Sequence, residues 1–293
     1  MTGAEQKAAH SPPATVDAGV DAFASAVLAE ITRGEDPLLV WSKDVRRVLE
    51  ELATPKPLTA RLSQLVALDP RLAVTVMQAA QSATFGRIAT PSLDLQQTIF
   101  ALGPERLRAI VIGSGIAQLP EQPRLQVRRR EVQAIGASGV RASAICMLAA
   151  RHIGGIDVTD AFLLGMLHAV GKFSLHARLR GAGPWQEDLQ QRLLLMSRWH
   201  ARIGAATVRG WSLPAWLAAA VESQDLLGRD PDGDVRGELL AAAVVAARTV
   251  HAVEETAAHL TDFSRTGLGR EAWRAVLTSV PATSNSLRTL LHN

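Results

Sequence analysis

The sequence predicts an all-α protein made of two successive helical bundles, and three observations carry that prediction. Apolar residues recur three and four positions apart in segment after segment, with no sustained alternation of the strand type. Helix start and stop signals follow one another at short intervals. Asp69-Pro70 pairs an N-cap with an N1 proline, Gly103 ends one helix with Pro104 opening the next, and Gly154-Gly155 closes another. The 293-residue chain is 47% hydrophobic and 20% charged, and it has no tyrosine; Ala, Leu and Arg dominate it, which favours helix and globular packing.

Residues 1 to about 18 are Ala-, Ser-, Thr- and Pro-rich, too poor in large apolar groups to repay ordering, and read as a loose tail. Val20, Phe23, Val27, Leu28 and Ile31 then form a short amphipathic helix ending near Gly34, suited to packing on the main body or on a partner. Val45, Val48, Leu49 and Leu52 make the next stripe, stopped by Thr54-Pro55-Lys56-Pro57. Thr59 opens a helix with Leu62, Leu65 and Val66 inward. Asp69-Pro70 starts one through Leu72, Val76, Met77 and Ala80. Leu95, Ile99 and Leu102 form a fourth stripe ending at Gly103, and Pro104 starts the fifth. Short helices joined by short turns are the signature of a bundle.

The stretch A-I-V-I-G-S-G-I-A-Q, residues 109–118, imitates a strand followed by a dinucleotide-binding glycine turn. Gln118 stands where the third glycine belongs, no acidic residue lies at the required distance beyond it, and the flanks are helical. It reads as helix. Pro120 and Pro123 mark a hinge. A long helix is predicted from Glu121 to about Ile153, opened by R-L-Q-V-R-R-R-E. Arg128, Arg129 and Arg130 lack interleaved aromatics and read as a solvated face more readily than as a nucleic-acid contact.

After the central helix described below come Phe173 to Leu179, then Asp188 to Met196. A further helix carries His200, Ile203, Gly204 and Val208 and ends near Gly210-Trp211. Ser212-Leu213-Pro214 caps one through Leu217, Ala220 and Val221. Arg229 to Gly237 reads as a loop. Its D-x-D-G-D resembles a calcium loop, but Val235 occupies the required glycine position and Ala241 the twelfth. Leu239 to about His259 is predicted as one Ala-rich helix, followed by two shorter helices around Trp273 and Leu287. The expected organisation is a tail and short helix over 1–34, a first bundle over 35–120, a second over 121–228, and a helical extension over 229–293.

Composition narrows the function classes. A formal net charge of +3 is small for this length and does not by itself indicate nucleic acid. Cys146, the one cysteine, excludes an internal disulfide and a thiolate zinc cluster, and its apolar setting makes it a packed hydrophobe. The N-terminus lacks the apolar core of a signal peptide. The most continuous apolar run, Leu239 to Ala247, falls far short of the ~20 residues that span a bilayer. The expectation is a soluble, cytoplasmic protein without a membrane partner.

Asp160 to Lys172, D-A-F-L-L-G-M-L-H-A-V-G-K, is the most informative stretch. Phe162, Leu163, Met166, Leu167 and Val170 give a wide apolar face, and Ala161, Gly165 and Ala169 form a small-residue strip suited to close helix contact. Thr159 and Asp160 sit at the expected N-cap and Gly171 at the expected C-terminus. One imidazole, His168, is carried into this apolar helix, and Lys172 follows it. Two readings stay open for His168: a core histidine bonded to backbone or water, and a ligand or catalytic group.

G-M-L-H-A-V-G-K resembles the G-L-L-H-D-I-G-K segment of the HD phosphohydrolase superfamily, with Ala169 replacing the aspartate. The order of features from about 37 to 228 is similar to the HDOD family, bacterial signalling domains related to those hydrolases. D-P-R-L-A-V-T-V-M-Q-A-A-Q-S-A-T-F-G resembles its first-half signature, with Gln81 in place of an asparagine. Ile99, Leu102 and Gly103 match I-x-x-L-G, and His200 with Gly204 and Trp211 to Pro214 match the second half. The resemblance implies that residues 35–120 are the first half of an HDOD-like region and 121–228 a degenerate HD-like bundle.

The metal shell of the HD enzymes is depleted in this alignment. Ala142 stands where the first histidine would fall, Ala169 replaces the aspartate, and Ser223-Gln224 replaces a histidine pair. One imidazole without a carboxylate does not hold a divalent ion. The resemblance therefore implies a non-catalytic regulatory or adaptor protein in signal transduction, with a signalling protein as partner and no resident metal or cofactor. A metal-dependent phosphohydrolase acting on a nucleotide is the alternative. A small ligand, a nucleotide by its charge, is expected near His168, Lys172, Arg141 and His200. The sequence does not indicate the oligomeric state.

Overall fold

The computed structural model describes residues 14–35, 42–82, 85, 94–180, 182–211, 213–225, 234–249 and 252–292. Every regular element among them is helical. Helix α1 (Ala14–Thr32) precedes α2 (Lys43–Leu52), α3 (Thr59–Ala67) and α4 (Pro70–Gln81). The start of α4 is written locally: Asp69 accepts hydrogen bonds from the amides of Arg71 and Leu72 at 3.0 and 3.1 Å, and Pro70 follows at N1. Helix α5 (Leu95–Gln118) bends where the sequence asks it to. Gly103 takes φ 75° and ψ 165°, a left-handed φ that costs a residue without Cβ little, and Pro104 restarts the helix. The segment resembling a dinucleotide motif lies inside α5, where Ala109, Ile110, Val111 and Ile112 are buried.

The stretch after Pro120 differs from the expected long helix. It begins as 3-10 turns over Leu119–Glu121 and Pro123–Arg128, and only then becomes α6 (Arg129–Ala150). The two prolines lack amide donors, Gln122 is extended, and Arg128 departs from helical angles, so an α-helical ladder starts only at Arg129.

The central helix also differs from its sequence reading. Helix α7 (Val158–Leu167) is capped by Asp157, whose side chain accepts from the Thr159 amide at 2.7 Å. It stops at His168, and α8 (Val170–His176) starts immediately after Ala169. Gly171 is therefore inside α8 and does not terminate α7. Its reason is packing: a Cβ there would lie 1.9 Å from the His200 carbonyl oxygen. The small-residue strip does what its spacing suggested, because a Cβ on Gly165 would lie 2.1 Å from the Ser143 nitrogen of α6.

Three further boundaries fall elsewhere than expected. Asp188 to Gly210 is one helix, α9 (Leu189–Gly210), since no glycine or proline interrupts Ser197-Arg198-Trp199. Helix α10 (Ala215–Ser223) follows Pro214. The predicted 239–259 helix is two, α11 (Val235–Thr249) and α12 (Val253–Leu260). The two short C-terminal helices are one, α13 (Arg270–His292), whose buried stripe from Trp273 through Val280 and Leu287 to Leu291 continues past Pro281. The tail up to residue 13 lies outside the described residues, as does most of the calcium-like loop; α1 begins at Ala14, earlier than the sequence suggested.

One apolar core runs from Val45 in α2 to Leu291 in α13, so helices on both sides of Pro120 share it. Helices α11 and α13 pack on α6 and are part of that core. A smaller cluster joins Val20, Ala24, Val27 and Ile31 of α1 to Leu175, Leu179, Leu195 and Ile203. Polar bonds fasten α1 there. Arg178 bonds Glu30 at 2.8 Å, and the Trp199 indole donates to Asp21 at 2.7 Å. Two helical stretches, Pro123–Ala150 and Val158–His176, are apolar and long enough to match a membrane span by composition. The second is 83% buried within the protein and is broken between α7 and α8, and both serve as core helices here.

Candidate functional site

The α7–α8 break places His168 at the junction of α6, α8 and α10, fully buried. Its Nδ1 lies 2.6 Å from the Gly165 carbonyl, which fixes the proton on Nδ1 and leaves the Nε2 lone pair as acceptor. Ser138 of α6 donates weakly to that nitrogen at 3.4 Å. The His168 carbonyl accepts from Gln224 Nε2 at 3.2 Å. Burial, then the charge of Lys172, push the His168 pKa down to about 3, with Arg248 and Arg141 acting in the same direction and the Gly165 carbonyl opposing.

His200 on α9 repeats the pattern. Its Nδ1 donates to the Met196 carbonyl at 2.6 Å, and its Nε2 is buried without a hydrogen-bond partner among the described residues. Burial, Lys172 and His168 lower its pKa to about 3. Asp225 Oδ2 stands 3.5 Å from the same Nδ1, but the imidazole is neutral, so this contact is a weak polar one and not an ion pair. Gln224, also buried, has an Oε1 with no partner among the described residues.

Cations surround the pair. The Lys172 pKa is lowered by burial and then by Arg248, with Asp225 opposing. Asp225 is shifted up by burial, against the pull of Lys172 and Arg248. Arg141 reaches from α6 to the Ala247 carbonyl of α11 at 3.3 Å. His168, Lys172, Arg141 and His200, the four candidates named from sequence, are thus brought into one electrostatic cluster. Ser138, Asp225 and Arg248 complete it and were not foreseen. Arg248 belongs to the C-terminal extension, and no local pattern marks it.

The donor set does not fit the divalent metal that HD enzymes hold. The α6 side chain touching His168 is Ser138, and Ala142, where the resemblance placed a histidine, is a fully buried methyl. Ala169 is likewise buried. Among the described residues no three His, Cys, Asp or Glu side chains converge as a metal shell. Cys146 is fully buried and its thiol pKa is pushed up by that burial, so it is no nucleophile.

Fold and cluster together define a class, an all-α protein whose central histidines have no metal shell around them among the described residues. The chain belongs to the HDOD domain family, whose model matches residues 38–226. Among solved structures, it is similar to a protein from Shewanella amazonensis SB2B described as a candidate metal-dependent phosphohydrolase. The TM-score is 0.72 at 16% identity, over 91% of this chain and 99% of that one. It is similar also to an HDOD domain protein with unknown function from Geobacter sulfurreducens, with TM-score 0.62, 16% identity, and 94% and 98% of the two chains covered. A third, described as a candidate signal transduction protein from Marinobacter aquaeolei VT8, gives 0.53 at 14% identity, over 94% of this chain and 66% of that one. These TM-scores establish a shared fold. No curated protein matches the chain.

Proposed function

We propose that this protein is a non-catalytic regulatory or adaptor domain of bacterial signal transduction. It acts in the cytoplasm by binding a signalling protein, and its vestigial hydrolase cleft takes a phosphate-bearing ligand such as a nucleotide. The observation that carries the reading is the exchange of ligand chemistry for cationic chemistry around His168. Two neutral imidazoles keep their Nδ1 protons on backbone carbonyls, and Lys172, Arg141 and Arg248 stand around them with Asp225 as the acidic counterpart. Such a cluster suits an anion better than a cation. His200 Nε2 and Gln224 Oε1, without a partner among the described residues, are acceptors that the hydroxyl or amino groups of a nucleotide would satisfy.

The experiment is a thermal-shift screen of mono-, di- and cyclic nucleotides against the full chain and Lys172→Ala. A ligand present at ~100 times its Kd stabilises the protein by about 2.7 kcal/mol, a readily measured shift. The expected result is a nucleotide-dependent rise that Lys172→Ala removes. A screen in which no nucleotide shifts the melt, or a shift that survives the substitution, would contradict the ligand half of this reading.

A further inference from the structure

The end of the 3-10 segment Pro123–Arg128 is bonded to the turn that leads into α9, and the start of α6 is bonded to α9 itself. Arg128 donates to the Gln186 carbonyl at 2.9 Å and pairs with Glu187 at 3.2 Å, and Arg192 pairs with Glu131 at 2.9 Å. Each strip turns a row of side chains outward. On the 3-10 segment, residues three apart eclipse one another, so Arg124 and Val127 share one exposed side, and Arg129 and Arg130 are exposed at the start of α6 that follows. On α9, Leu189 and Leu193 are four apart on one face. Val127, Leu189 and Leu193 are 68%, 52% and 53% exposed, among the most exposed large aliphatics described. Arg124, Arg129 and Arg130 make no hydrogen bond or ion pair among the described residues, and Glu131 and Glu187 are engaged by Arg192 and Arg128.

The arrangement does nothing for the fold. It exposes aliphatic carbon to water and sets cations at the start of α6, where the helix dipole disfavours them. We propose that this strip is a docking surface for an acidic amphipathic helix of a partner protein, its leucines on Val127, Leu189 and Leu193 and its carboxylates on Arg124, Arg129 and Arg130. The paired aliphatics at helical spacing match the apolar stripe of a docked helix, and the unpaired guanidiniums supply charge complementarity. No aromatic side chain stands among these six for bases to stack on, which favours a peptide over single-stranded nucleic acid.

The inference rests on the protein-binding reading above, but it fails separately. Catalytic turnover would remove that reading without touching this surface, whereas a silent titration would remove this surface alone. The test is fluorescence anisotropy of the full chain with a synthetic amphipathic helical peptide carrying leucines on one face and glutamates on its flanks. Parallel probes are its lysine-flanked counterpart, an oligo-uridine RNA, and phosphatidylserine-containing vesicles. The glutamate peptide is expected to bind, and roughly tenfold more weakly to the triple variant Arg124→Glu, Arg129→Glu, Arg130→Glu and at high salt. A second variant, Val127→Ser with Leu189→Ser and Leu193→Ser, is expected to weaken binding at unchanged salt dependence. Should a variant melt early, hydrogen exchange on the unsubstituted chain takes its place, with protection expected at 124–130 and 189–193 when peptide is added. No binding of the glutamate peptide, equal binding of the lysine peptide, binding of RNA or vesicles alone, or protection elsewhere would overturn the proposal.

Discussion

Gly165→Ala is expected to destabilise the protein by about 3 kcal/mol or more, toward the upper end for overpacking substitutions. An added Cβ would sit 2.1 Å from the Ser143 nitrogen, 2.2 Å from its Cα and 2.5 Å from the Ala142 carbonyl carbon. All three are backbone atoms of α6, so no side chain can rotate out of the way. The α6–α7 pair must part, which also strains the Ser143 hydroxyl bond to the Phe162 carbonyl, 3.0 Å long. For a chain of this size each kcal/mol lowers Tm by roughly 2–4 °C, so a fall on the order of 10 °C is expected by calorimetry. Gly154→Ala is the control, since nothing lies within 4 Å of its built Cβ and its φ is not left-handed. Equal melting of the two variants would mean that α6 and α7 do not approach as closely as described.

Acid is expected to destabilise the fold steeply between about pH 6.5 and pH 4, with buried histidines as the cause. His168 and His200 have pKa values near 3, and His176 is at about 4, each lowered first by burial. Their unfolded value is about 6.5. Between the two values the unfolded chain binds more protons than the folded one, so stability rises with pH and is lost on acidification. At about pH 5 each histidine costs on the order of 2 kcal/mol, several kcal/mol for the three together. Asp225 and Asp160 act in the opposite sense, because burial raises their pKa. Urea midpoints measured from about pH 7.5 down to pH 5 should fall continuously, and His176→Leu should flatten part of the slope. Midpoints that stay constant or rise on acidification would contradict the buried neutral imidazoles.

Where a feature is encoded in adjacent residues, the sequence was enough to find it. Asp69-Pro70 opens α4 and Gly103-Pro104 bends α5 because cap, proline and glycine act on their own backbone. Gly171 was misread for the same reason. Its neighbours suggest a helix end, while its actual requirement is the His200 carbonyl of α9, 29 positions further along and invisible locally. The continuity of α9 and α13 likewise depends on a buried stripe that only tertiary contact maintains. At the cluster, His168 stood out as one imidazole in an apolar helix, Lys172 as the ammonium following it, and His200 through the resemblance. Ser138, Asp225 and Arg248 sit on three other elements, with nothing in their own neighbourhoods to mark them.

The most direct test of a non-catalytic cluster is elemental analysis of protein purified without a metal-affinity tag, joined to turnover assays with added manganese, iron or magnesium. The expected result is no stoichiometric metal and no phosphate release from nucleotide substrates, because Ala142 and Ala169 offer methyl groups where a shell needs donors at ~2 Å. One metal per chain, or phosphate release that His168→Ala abolishes, would contradict it and return the protein to the metal-dependent hydrolases.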